Sequence, residues 1–183
     1  MFTDIEKNLV NGENMGGISQ TVYYGLHSDV DTWPTKPSNP TSLEQLGALV
    51  GNIVLKPGKK ANKLYITDDT GELQIEPVGE KDGKSFVMHL TLFHPGLSEK
   101  VLGFINKSKN ENLYFIVPDN NGAMFLMGDA LRPATFEGPG DGQGTGKETA
   151  ARRGIGAEFT YKTSNIYQYK GTVPLTEATG SGG

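Results

Sequence analysis

Leu113-Tyr-Phe-Ile-Val117 is an unbroken apolar run that Pro118-Asp-Asn-Asn-Gly122 cuts off at once. A short run of β-branched and aromatic residues bounded by turn residues reads as a strand. Residues 123–127, closed by Gly128-Asp129, read as its returning partner. The chain must therefore fold around at least one antiparallel hairpin.

The same grammar recurs along the chain. Residues 18–26 form a strand rich in β-branched and aromatic side chains, and residues 52–56 and 64–67 follow as short strands. Asp68-Asp-Thr-Gly71 is a turn, and residues 72–78 place Leu73, Ile75 and Val78 in near alternation. Lys81-Asp-Gly83 turns the chain into a longer strand over residues 84–93. Such runs joined by Asp/Gly turns predict antiparallel meanders. Residues 157–161 and 166–170 read as a last strand pair.

Helical spacing is clear in one place. After Pro95 and Gly96, the residues Leu97, Val101, Leu102, Phe104 and Ile105 recur on one face, with Glu99, Lys100 and Lys107 on the other. The spacing predicts a helix of about three turns. A shorter helix or turn is expected at residues 43–50, from Leu43, Leu46, Leu49 and Val50. Two stretches read as loops. One spans residues 29–42, with Pro34, Pro37 and Pro40; the other spans residues 132–156 and contains the Gly-rich segment 138–146.

Strands before and after a single convincing helix predict a mainly β fold, an antiparallel β-sandwich or barrel with one flanking α-helix, long loops and extended termini. A doubly wound α/β fold would need a helix after most strands. The expected organisation is an N-terminal arm at 1–17, a single β domain at 18–175 and a flexible tail or linker at 176–183. A chain of 183 residues suits one domain. Hydrophobic residues make up 36% and there are 25 glycines, so the core is modest and turns are many. A subunit that completes its core against neighbours has the same composition.

Charge and composition exclude several functions. The net charge of −4 offers no basic stripe for releasing counterions from nucleic acid, so stable DNA or RNA binding is disfavoured. The absence of cysteine removes disulfides, thiolate metal sites and cysteine nucleophiles. No run approaches the ~20 apolar residues of a membrane span. Residues 1–14 lack the apolar core of a signal peptide, so the expected place of synthesis is a cytoplasm.

The candidate catalytic and binding motifs fail on specific residues. In Asp141-Gly-Gln-Gly-Thr-Gly-Lys-Glu-Thr149, Asp141 stands where a phosphate-binding loop needs Gly, and Glu148 stands where it needs a hydroxyl. His89 and His94, five residues apart on a strand, should point to opposite faces, and His27 is remote in sequence. Asp29-Val-Asp31 and Asp68-Asp69 lack the ladder of a calcium loop. No Gly-x-Ser-x-Gly elbow occurs. Tyr161, Tyr167 and Tyr169 could stack bases, but few basic residues accompany them, and packing is the better reading. Arg152-Arg153, the adjacent arginine pair, suits either a solvated loop or an anchor for an acidic patch on a neighbouring copy. No catalytic residue, cofactor or metal is therefore expected, and the chain reads as a building block and not an enzyme.

Several segments together resemble the tail tube (major tail) proteins of tailed bacteriophages. They are Gly16-Gly-Ile-Ser-Gln-Thr-Val-Tyr-Tyr24, the acidic Ser28-Asp-Val-Asp-Thr-Trp-Pro34, and Lys81-Asp-Gly-Lys-Ser-Phe86 opening a long strand. Pro95 with its amphipathic helix, Leu113-Tyr-Phe-Ile-Val117 with its turn, and Ile166-Tyr-Gln-Tyr-Lys-Gly171 complete the set. The likeness is one of layout over residues 16–171, without a diagnostic motif.

The resemblance implies a tail-tube-like β domain that forms rings, hexameric in this family, stacked into a channel that conducts DNA. It implies a homo-oligomer that contacts other tail proteins, meets DNA only transiently and does not itself insert into a membrane. The implied location is the virion, after assembly in the host cytoplasm. Trp33 and Pro34, in the Pro-rich loop, and Arg152 and Arg153 become candidate subunit-interface residues. That loop, the Gly-rich loop and both termini become candidate bridges between rings. Another phage or phage-like structural component, such as a capsid decoration protein or an injection-system tube, is the first alternative. A small OB-type β-barrel binding module is the second.

Overall fold

The computed structural model describes residues 2–5, 14–138 and 144–178. Most of the N-terminal arm, the middle of the Gly-rich segment and the tail from residue 179 lie outside the described residues. The first half contains β1 (Thr21–Leu26), β2 (Val30–Thr32), the one-turn α1 (Leu43–Leu46), β3 (Val54–Leu55), β4 (Asn62–Tyr65), β5 (Glu72–Val78) and β6 (Ser85–Pro95). The second half contains α2 (Glu99–Ser108), β7 (Leu113–Pro118), β8 (Met124–Met127), β9 (Thr135–Gly138), β10 (Gly154–Thr163) and β11 (Gln168–Tyr169).

The fold is mainly β and antiparallel. A five-stranded sheet runs β11-β8-β7-β1-β4, a four-stranded sheet runs β5-β6-β10-β9, and β2 pairs with β3 in a separate ribbon. Alternation along each strand decides what it buries. Val22 on β1, Leu113, Phe115 and Val117 on β7, and Met127 on β8 meet Met88, Leu90 and Leu92 of β6 and Ala157, Phe159 and Tyr161 of β10. This is the core of a β-sandwich. Phe159 lies at its centre, with ring centroids 4.6 Å from Phe115 and 5.5 Å from Phe136.

The intervening residues of the five-stranded sheet enter a second core. Tyr114, Ile116 and Leu126 pack with Val30, Leu55, Ile53 and Tyr169, flanked by Trp33 and Leu49. The β2–β3 ribbon and the chain after β11 thus cover the outer face of this sheet. The apolar run in β7 has no polar alternation because both of its faces are interior. Gly25 on β1 is required here: a Cβ would lie 2.7 Å from the Tyr114 ring, which crosses over it.

Helix α2 starts where Ser98 accepts a hydrogen bond from the Val101 amide through its hydroxyl, at 3.4 Å. Phe104 and Ile105 pack against the sandwich core, and the Phe104 and Tyr24 rings meet edge to face at 4.9 Å. Leu102, predicted on the apolar face, is instead exposed.

Three further expectations are corrected. The expected pair at 157–161 and 166–170 does not form: β10 pairs with β6 and β9, while β11 pairs with β8 in the other sheet. Residues 29–42 contain β2, and residues 132–156 contain β9, so neither stretch is only a loop. Both hidden strands are short, and each is held by a partner strand far along the chain.

Candidate assembly surface

The two sheets differ in what faces outward. The four-stranded sheet has its inner positions in the sandwich core, and its other face is uncovered among the described residues. Registers across β5, β6 and β10 bring Glu72 opposite Thr91, Gln74 opposite His89 and Glu158 opposite Thr91. Glu72, Gln74 and Glu76 on β5 are exposed, as is Glu137 on β9. Against Glu72, Glu76, Glu137 and Glu158 the face sets Lys162 as its sole strand cation, with His89 near its middle.

His89 links three strands. Its Nδ1 donates to Glu158 Oε1 on β10 at 2.9 Å, and its Nε2 lies 3.6 Å from Glu76 Oε2 on β5. Next to it, the Thr160 hydroxyl donates to Glu137 Oε2 at 3.2 Å, tying β10 to β9. The histidine spacing on β6 holds as expected: His94 is on the other face, where Nδ1 donates to the Tyr65 carbonyl at 2.7 Å. The carboxylates around His89 could not be read from spacing near it, because they arrive from two other strands. Among the described residues, no three His, Asp or Glu side chains gather as metal ligands.

Both outer strands of this sheet, β5 and β9, are edges. Pro77 within β5 fits that position, since an edge strand tolerates a residue without an N–H. Unpaired edges are templates for pairing with another chain.

The densest polar cluster elsewhere lies at the β8–β9 turn. Asp129 Oδ1 accepts from the amides of Leu131 and Arg132, both at 2.8 Å, and Oδ2 accepts from the Tyr161 hydroxyl at 2.8 Å. The His27 ring donates from Nε2 to the Asp129 carbonyl at 2.6 Å. Burial alone would raise the Asp129 carboxyl. The bonds from Leu131, Tyr161 and Arg132, with the Arg132 charge, outweigh it and hold the group below the usual carboxylate range. Burial and Asp129 push the Tyr161 phenol up against the lowering influence of Thr163 and Arg132. A carboxylate so fully bonded is a turn brace, and its geometry gives it no free lone pair aimed at a substrate.

The sequence-derived interface residues fall in separate places. Trp33 is half-buried, 4.8 Å from the His27 ring and 6.1 Å from Tyr114, so it caps the second core of its own chain. Pro34 is half-buried beside it. Arg152 is exposed, its guanidinium 5.7 Å from the Phe93 ring centroid, in an open groove with Asp69 and Glu72. Arg153 is exposed, and its carbonyl accepts from the Gly96 amide at 2.9 Å. Of the tyrosine cluster, Tyr161 lies in the first core and Tyr169 in the second, where its hydroxyl donates to the Thr172 carbonyl at 2.8 Å. They make no common stacking platform. No helix among the described residues is long and apolar enough to cross a membrane.

Comparison of the chain with protein-family models, with curated proteins and with solved structures finds no match in any of the three, so the functional reading rests on its own residues.

Proposed function

We propose that the chain is a structural subunit that assembles with copies of itself into stacked rings, in the manner of a phage tail tube, around a channel for DNA. The uncovered carboxylate-rich face of β5, β6, β10 and β9 carries the reading. A sandwich that covers one sheet twice and leaves the other bare has reserved that face for a surrounding it does not itself supply. Facing a channel, its carboxylates repel phosphate, so a duplex slides past without sticking. The open edges β5 and β9 lie at the sides of the same sheet, where ring neighbours would protect them. In this reading the subunit belongs to the virion, after assembly in the host cytoplasm, and it contacts other tail proteins.

Negative-stain microscopy of the purified chain, with sedimentation over a range of concentrations, tests the proposal. Rings or tubes with a central channel are the expected result. A strictly monomeric species at the highest concentration, with no rings, would overturn it.

A further inference from the structure

Beside α2 lies a groove whose floor is apolar and whose rim is basic. Tyr24, Leu26 and Phe104 form the floor, and Lys59, Lys100 and Lys107 stand along the rim. Lys59 is held by Asp29 at 3.1 Å, whereas neither Lys100 nor Lys107 has an ion-pair partner among the described residues. Gly103 leaves the helix side of the groove open, since a Cβ there would meet nothing within 4 Å. An acidic protein has thus gathered cations around an apolar slot.

The start of the chain carries the complementary chemistry. Phe2 is 97% exposed and Ile5 is 86% exposed, so neither packs on its own sandwich. Single exposed apolar residues are ordinary on a surface. Two large ones within four residues, with Asp4 between them, are a compact apolar and acidic unit. Three residues apart, Phe2 and Ile5 share a side of a polyproline-II segment, which has three residues per turn, and Asp4 projects to another side.

We infer that residues 2–5 of one copy dock in the α2 groove of a second copy, with Phe2 and Ile5 on the apolar floor and Asp4 toward Lys100 and Lys107. The occupant is chosen by charge and shape together. The groove matches a segment with both apolar and acidic groups, and the bare sheet face, which is acidic, would repel Asp4. The inference rests on the ring-forming reading and names one contact within it. Such a head-to-tail contact joins different surfaces of two identical chains, which is the kind that closes rings or extends tubes.

Cross-linking between separately marked chains tests it, because the natural sequence has no cysteine. Ile5→Cys chains are mixed with Gly103→Cys chains under mild oxidation; the second substitution has open space and removes a helix-weakening glycine. The expected result is a disulfide heterodimer well above that of Ile5→Cys mixed with Thr135→Cys, which marks the bare face. Adding Lys100→Glu and Lys107→Glu to the Gly103→Cys chain should lower the yield about tenfold at low salt, as loss of complementary charge does.

A yield equal to the Thr135→Cys control, or no response to the charge reversal, would overturn the docking. So would a double Ile5→Cys, Gly103→Cys chain that closes only within itself. The readout needs only two copies. Tubes in the microscope without the cross-link reject the docking and leave the tube reading in place, and the cross-link without tubes does the opposite.

Discussion

The two sheets of the sandwich are built from similar strands and meet opposite fates. In the five-stranded sheet, β7 buries Leu113, Phe115 and Val117 on one side and Tyr114 and Ile116 on the other. In the four-stranded sheet, β6 buries Met88, Leu90 and Leu92 on one side and shows His89 and Thr91 on the other. One sheet is committed to stability within the chain. The other spends half its positions on a charged surface that contributes little to folding. That division teaches where function should be sought, because a bare, polar sheet face is free to be selected for what it meets.

The contrast breaks first in the shared core. Phe159→Ala removes the ring at the centre of the aromatic cluster, and it should cost about 3–5 kcal/mol of stability, measured by chemical denaturation. A loss near 1 kcal/mol would mean that the sheets are not truly packed on each other.

Asp129→Ala, which unbinds two amides and the Tyr161 hydroxyl at the junction of both sheets, should cost about 2 kcal/mol. Its pH signature is specific. The folded carboxyl titrates below its unfolded value, so its contribution is fully present above the unfolded value and is lost as pH falls through the folded one. The variant should therefore lose less stability on acidification than the natural chain, by denaturation melts at successive pH values.

The second core offers a smaller effect of opposite sign. The Tyr114 hydroxyl is buried with no hydrogen-bond partner, and burial, then Asp29 and Tyr169, push its phenol up. Tyr114→Phe removes a desolvated polar atom and should be neutral or stabilising by about 1 kcal/mol. Destabilisation by that much would reveal a partner for the hydroxyl.

Smallest of all is the bare face. Glu76→Gln with Glu158→Gln should leave unfolding midpoints within about 0.5 kcal/mol of the natural chain, since surface substitutions and exposed ion pairs count for little. A larger loss would place this face among the structural elements and remove its claim to be reserved for function.

Much of this contrast was legible in the sequence, and its limits have physical causes. The hairpins β5–β6 and β7–β8 and helix α2 were readable because their partners are adjacent along the chain and their turns carry Asp, Asn and Gly. Sheet membership was not. β1 lies between β7 and β4, and β10 lies between β6 and β9, through contacts that no local pattern encodes. β9 escaped notice because Thr135–Gly138 offers Phe136 as its single large apolar residue, inside a Gly-rich stretch.

The surface residues show the same limit. Alternation around Leu73 and Ile75 already turned Glu72 and Glu76 outward. Only the folded register could join Glu76, His89 and Glu158 into one patch. Trp33 drew attention as a lone tryptophan in a Pro-rich loop, and the packing of Tyr114 and His27 around it was invisible at that level.

The central claim is that the bare sheet face lines a channel made by copies of this chain. A cryo-electron microscopy reconstruction of the assembled protein tests it most directly. The account predicts closed rings in which Glu72, Glu76, His89, Glu137 and Glu158 of every copy face the central opening. A protein that stays monomeric, or an assembly in which that face is turned outward or buried between subunits, would contradict it.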